Sequence, residues 1–215
     1  MNDKRNKLEI MLEGGVIPVV RAKSADEALR VVEAIRKGGI NTIEVTMTVP
    51  GAIGVMERLA REAGDEILLG AGTVLDPETA RASILAGAEF IVSPCLNLEL
   101  VRLCKRYSKI IIPGAMTPTE ILSAWEMGAD IVKVFPAGQL GGPSYIKSIK
   151  APLPQILLNP TGGVSLDNAG EFIKAGASAI SVGSALVDNK AVAQGKFEVI
   201  TKKAEQFLEE VKRAR

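Results

Sequence analysis

The chain has 215 residues, 47% of them hydrophobic, a length that suits one domain of the size of a short barrel or a doubly wound sheet. Its 26 basic and 25 acidic residues leave a net charge of +1, so the composition advertises neither nucleic acid nor an anionic membrane as a partner. There is no histidine, which excludes a Ser-His-Asp triad, a Cys-His pair, imidazole acid-base chemistry and a His-ligated zinc. Catalysis would have to come from lysine, carboxylate, hydroxyl, cysteine, backbone amides or a cofactor.

From the N-terminus, Met1 to Lys7 is charged, and Glu9 and Glu13 interrupt the apolar positions that follow. Neither a signal peptide nor a membrane span is expected there, and an extra helix before the first strand is. Short apolar, β-branched runs then alternate with amphipathic stretches, the pattern of repeated βα units and a parallel sheet. Strands are expected at 16–21, 42–46, 67–71, 90–93, 110–113, 131–135, 155–159 and 179–182. About eight such units are what a (β/α)8 barrel needs, and the expectation is a single barrel domain over residues 1–215. A doubly wound open sheet fits the alternation almost as well, but no Gly-x-Gly-x-x-Gly follows the first strand.

Helix starts are written at Ser24-Ala25-Asp26-Glu27, Asp76-Pro77 and Thr117-Pro118-Thr119-Glu120, and helix ends at glycines. A weak repeat ties ends to strands: Gly39, Gly87, Gly128 and Gly176 each close a helix, precede a short turn and open the second, fourth, sixth and eighth strands. Glu44 and Lys133 stand at the same offset from their glycines, which would set them at a similar depth on an inner face. A slip of one residue would reverse either side chain.

Lys133, in Ile131-Val132-Lys133-Val134-Phe135, is a charge among apolar neighbours. An ammonium buried there must be paired or lose its proton, and a neutral amine attacks carbonyls; the alternative is an edge lysine reaching solvent. Glu44, in Ile43-Glu44-Val45-Thr46, would serve as acid and base, or else as an ion-pair or edge residue. Thr161-Gly162-Gly163 and Val182-Gly183-Ser184 follow the last two strands, where barrels commonly hold phosphate on backbone N–H groups. Thr73 would hydrogen-bond a substrate oxygen or cap a loop. Cys95 and Cys104 read as packing residues of a reducing compartment, with the cytoplasm as the expected location. Trp125 reads as core or interface, and Lys202, Lys203, Lys212, Arg213 and Arg215 as the solvated face of a helix.

Taken together, Ile43-Glu44-Val45-Thr46, Gly70-Ala71-Gly72-Thr73-Val74, Phe90-Ile91-Val92-Ser93-Pro94, Ile112-Pro113-Gly114, Lys133-Val134-Phe135-Pro136-Ala137, Pro160-Thr161-Gly162-Gly163 and Val182-Gly183-Ser184 resemble the 2-keto-3-deoxy-6-phosphogluconate (KDPG)/4-hydroxy-2-oxoglutarate (KHG) aldolase family. The likeness runs in order along nearly the whole chain. It implies a class I aldolase on a (β/α)8 barrel, a homotrimer without metal or other cofactor, acting on a small phosphorylated 2-keto acid in the Entner-Doudoroff pathway. By that resemblance Lys133 is the Schiff-base lysine and Glu44 the acid-base carboxylate. Thr73, Pro94, Phe135 and Thr161 would surround the pyruvyl part, and Gly162, Gly163, Gly183 and Ser184 the phosphate.

One position departs from the pattern. Many members carry arginine shortly after the glutamate, whereas this chain reads Met47-Thr48-Val49-Pro50. A carboxylate calls for a charge-assisted partner, and Arg21, at the end of the first strand, would reach the same rim. An exposed strand-end arginine is the alternative. Other readings of the chain are a phosphosugar isomerase or epimerase, and a noncatalytic phosphometabolite-binding or scaffold barrel.

Overall fold

The computed structural model describes residues 2–215. In chain order the elements are α1 (Asn2–Gly14), β1 (Val16–Val20), α2 (Ala25–Lys37), β2 (Thr42–Thr46), α3 (Ala52–Ala63), β3 (Leu68–Gly72), α4 (Pro77–Leu85), β4 (Phe90–Val92), α5 (Leu98–Arg106) and β5 (Ile110–Ile112). They continue with β6 (Gly114–Ala115), α6 (Pro118–Glu126), β7 (Val132–Val134), α7 (Pro143–Lys150), β8 (Leu158–Pro160), α8 (Leu166–Lys174), β9 (Ile180–Val182), α9 (Asn189–Ala193) and α10 (Glu198–Ala214). The helix expected before the first strand is α1. No helix among the described residues is long and apolar enough to cross a membrane.

All named strand pairs are parallel. They form a curled sheet in two ladders, one of six strands in the order β5-β4-β3-β2-β1-β9 and one of three in the order β6-β7-β8. The division corrects the fifth expected strand, 110–113. Proline has no N–H for a ladder, and the run breaks at Pro113 into β5 and β6, which pair with different neighbours. Backbone bonds cross from one ladder to the other: Asp130 N–H donates to Ile111 O at 3.1 Å and Ser178 N–H to Leu158 O at 2.9 Å. Thr161 and Ser181 add an isolated parallel bridge.

Strand bounds move elsewhere too. The strand expected at 155–159 is β8 at Leu158–Pro160, because the Lys150 ammonium holds the carbonyls of Pro154 (2.7 Å) and Ile156 (2.9 Å) in a turn. The strand expected at 42–46 is β2 with the same bounds, and the remaining strands differ from expectation by one residue at one or both ends.

Alternation along the strands gives two cores. Ile43, Val45, Leu69, Ala71, Ile91, Ile111, Val132, Val134, Leu158, Ile180 and Val182 pack outward against the helices. Ile17, Leu68, Phe90, Val92, Ile110, Ile112, Ile131 and Ala179 pack with one another and with Met11 of α1. This second cluster is the inner face of the curled sheet, and α1 covers one end of it. Arg215 fastens that end, its guanidinium donating to the carbonyls of Leu12 and Glu13 at the close of α1. So one residue expected on a solvated helix face has a structural partner, and Lys203 has another in Asp188 at 3.1 Å. Lys202, Lys212 and Arg213 are exposed as expected.

The helix signals act as the sequence implies. Ser24 and Asp76 accept from the N–H groups of Glu27 and Thr79, and Thr117 with Glu120 forms a full capping box. The four repeat glycines, Gly39, Gly87, Gly128 and Gly176, all have φ between +88° and +102°. Each donates its N–H to the carbonyl three residues back, which closes the helix and aims the chain into the next strand. Cys104 is buried, and loss of solvation pushes its thiol up to about 12; Cys95 is exposed, so it is not the packing residue expected. Trp125, 41% exposed, does not belong to the core of the chain.

Candidate active site

The repeat fixes the depth of the charged residues. Val92 and Ser181 stand five residues after Gly87 and Gly176, as Glu44 and Lys133 do after Gly39 and Gly128. Val92 belongs to the inner cluster, and Glu44 and Lys133 alternate with the outward pairs Ile43/Val45 and Val132/Val134, which puts them on that same face. Glu44 is 1% and Lys133 5% exposed, so the edge-residue alternatives do not hold.

Both groups titrate abnormally for the same primary reason. Loss of solvation raises the Glu44 carboxyl above its usual range, opposed by the charges of Lys133 and then Arg21. Loss of solvation likewise lowers the Lys133 ammonium, opposed by Glu44 and reinforced by Arg21. Neither Glu44 carboxylate oxygen has a hydrogen-bond partner in the protein. Space for that carboxylate comes from β3: a β-carbon at Gly72 would overlap it. The Lys133 Nζ lies 5.1 Å from the centroid of the Phe135 ring, two residues on along the same face.

A cleft of about 320 Å3 opens at the strand ends. Arg21, Phe135, Thr161, Gly162, Gly163, Gly183 and Ser184 line it, which brings together seven of the residues singled out by sequence. Lys133 and Glu44 are not among its lining residues; Phe135, which lines it, carries the Lys133 ammonium against its ring. Gly162 and Gly163 have φ of +81° and +80°, and a β-carbon at Gly163 would come within 2.8 Å of Gly138 Cα. Their N–H groups and that of Ser184 meet no backbone carbonyl among the described residues, so they are available to an anion. Arg21 is exposed at the end of β1. The next strand is tied to that end through Thr46, whose hydroxyl donates to Val20 O at 3.0 Å and shares a 2.7 Å hydrogen bond with Thr48.

Thr73 and Pro94 follow β3 and β4, half-buried, and do not line the cleft. Thr73 has φ +59°, an unusual backbone for threonine. Ser181 lines the cleft and Asn159 lies fully buried below it; sequence reasoning singled out neither. A signal for Ser181 existed in its offset from Gly176. For Asn159 it was an amide at the end of Ile156-Leu157-Leu158. A larger groove of about 630 Å3, lined by α2, α10 and Phe197 and by no strand residue, has no such convergence of groups.

Together the inner face offers an amine, a carboxylate and a ring beside a cleft of free amides and one guanidinium. This set can form an imine with a ketone and move a proton next to it.

Comparison with known proteins agrees. The family model for KDPG and KHG aldolase matches residues 8–203. A 2-dehydro-3-deoxy-phosphogluconate aldolase of Treponema pallidum is 37% identical over 90% of this chain and 92% of its own. A 2-dehydro-3-deoxy-6-phosphogalactonate aldolase of Escherichia coli is 36% identical over 80% of this chain and 83% of its own. Among solved structures, KDPG aldolase from Legionella pneumophila, with pyruvate captured as a covalent carbinolamine intermediate, superposes with a TM-score of 0.86 at 32% identity, covering 93% of this chain and 96% of that one.

Proposed function

The chain belongs to the KDPG and KHG aldolase family, and we propose that it is a class I lyase that cleaves 2-keto-3-deoxy-6-phosphogluconate to pyruvate and glyceraldehyde 3-phosphate through an imine on Lys133. The observation that carries this reading is a lysine and a glutamate buried on one inner face, each perturbed toward its neutral form.

Neutral Lys133 Nζ attacks the C2 ketone to give a carbinolamine, which takes the proton of the Glu44 carboxyl onto its hydroxyl and loses water to become an iminium ion, leaving Glu44 as the carboxylate. Glu44 takes the proton of the C4 hydroxyl. The electrons of the C3–C4 bond move into the iminium, the aldehyde leaves, and an enamine remains. Glu44 returns a proton to C3 and hydrolysis frees pyruvate and the amine. Burial serves both partners: a lysine with a lowered pKa is more often neutral, and a glutamate with a raised pKa can hold the proton between steps.

In this reading Arg21 binds the substrate carboxylate in place of the arginine absent from Met47-Thr48-Val49-Pro50; Thr73, Pro94, Phe135 and Thr161 shape the pyruvyl pocket, and the amides of Gly162, Gly163, Gly183 and Ser184 receive the phosphate. The same site would take 4-hydroxy-2-oxoglutarate and the galacto epimer of the six-carbon acid, since discrimination at C4 rests on few contacts. The two ladders act as one closed (β/α)8 barrel and one domain, a reading supported by the backbone bonds between them. The enzyme works as a cytoplasmic homotrimer in the Entner-Doudoroff pathway, and the exposed side chains of Leu75, Leu98, Met116 and Trp125 supply apolar surface for association.

An assay coupling pyruvate release to a reporter tests the activity. Turnover of 2-keto-3-deoxy-6-phosphogluconate by the wild type, abolished in Lys133→Ala, is expected. Phosphometabolite binding without pyruvate release would instead support the noncatalytic reading.

A further inference from the structure

Asn159 and Ser181 are buried polar side chains on the inner face to which the mechanism above gives no task. Asn159 on β8 is fully buried, Ser181 on β9 is 1% exposed, and Asn159 Nδ2 donates to Ser181 Oγ at 2.8 Å. Asn159 is the register partner of Lys133. Side chains of paired residues in neighbouring parallel strands leave the sheet on the same side, so the amide and the amine are neighbours there.

Asn159 Oδ1 has no hydrogen-bond partner in the protein. A buried amide oxygen without a donor is costly and calls for an explanation. The orientation of the amide supplies one. A serine hydroxyl can donate or accept, whereas an ammonium only donates, so the pair is best satisfied with the NH2 on Ser181 and the oxygen left for Lys133.

We infer that Asn159, fixed by Ser181, is a positioning residue for the Lys133 amine: when the neutral amine turns to attack, the Oδ1 that has no partner in this structure accepts an N–H of Nζ, so that the nitrogen lone pair faces the ketone. The charged groups that act on Lys133 are Glu44 from β2 and Arg21 beyond β1. A carboxylate holding the amine would favour the ammonium, which cannot attack. A neutral amide oxygen orients the N–H with far less bias toward the charged form. This inference rests on the assignment of Lys133 as the imine-forming lysine.

The test is the rate at which borohydride traps pyruvate on the protein, measured against pH in the wild type and in Asn159→Leu, Asn159→Asp and Ser181→Ala, with folding checked by thermal melting. Asn159→Leu is expected to slow the plateau rate about tenfold or more, the effect of a misaimed reacting group. Asn159→Asp is expected to move the midpoint of the profile up by about one pH unit or more, because an anion beside the lysine favours its charged form. Ser181→Ala should slow trapping in the same direction as Asn159→Leu, by less. Wild-type plateau and midpoint in both Asn159 variants would overturn the inference. If those variants fail to fold, Ser181→Ala decides, and an unchanged rate there overturns it. Absence of any adduct on Lys133 in the wild type would overturn the aldolase reading instead, so the two failures are distinguishable.

Discussion

Glu44 and Lys133 weaken the fold that holds them. Glu44 binds its proton more tightly in the folded chain than its ordinary 4.5, so above pH 4.5 the folded state holds more protons than the unfolded one and stability falls as pH rises toward the elevated value. Lys133 releases its proton below its ordinary 10.5, so the unfolded state holds more protons in that window and stability recovers as pH climbs from the depressed value to 10.5. Replacing both with apolar residues, Lys133→Met with Glu44→Leu, is therefore expected to be neutral or to stabilise by about 1–4 kcal/mol at pH 7, read from urea unfolding, and to flatten that pH dependence. A marked loss of stability would show that the pair is a structural ion pair. Glu44→Gln separates the chemical roles: pyruvate should still form an imine, while cleavage falls by about 10²–10⁴-fold. For Arg21→Ala, weaker pyruvate affinity is expected, and an unchanged value would remove the guanidinium from the carboxylate site. These residues were legible because charge inside an apolar strand stands out. Gly72 was not, since the reason for it is the Glu44 carboxylate packed against its α-carbon from another strand.

At the scale of elements, local chemistry was readable and partner choice was not. The capping boxes and the four helix-ending glycines are short-range devices, and each acts where its residues stand. They also carried the one long-range deduction available, the common depth of Glu44 and Lys133. Thr117→Ala removes the side-chain acceptor from Glu120 N–H at a residue that does not line the cleft, and should cost about 1 kcal/mol of stability without altering turnover; urea unfolding beside the coupled assay checks both. What escaped sequence reasoning depended on tertiary contacts. Ile110-Ile111-Ile112-Pro113 reads as one strand, but only the neighbours show that its two sides of Pro113 pair with β4 and β7. The late start of β8 follows from Lys150 reaching across to two carbonyls, which no local pattern announces.

Over the whole molecule, the curled parallel sheet divides labour by parity. Outward residues join the strands to the helices, and inward residues fill a second core that α1 covers at one end and that turns polar toward the other. Apolar side chains occupy the covered end, then Glu44, Lys133, Asn159 and Ser181, then the cleft with its free amides and Arg21. A chain without histidine thus gathers an amine and a carboxylate where water is scarce. The central claim is that this amine is the nucleophile. Borohydride reduction of the protein in the presence of pyruvate, followed by peptide mass mapping, should place a single reduced pyruvyl adduct on Lys133, absent in Lys133→Ala and retained in Glu44→Gln. No adduct, or an adduct on any other lysine, would contradict the account.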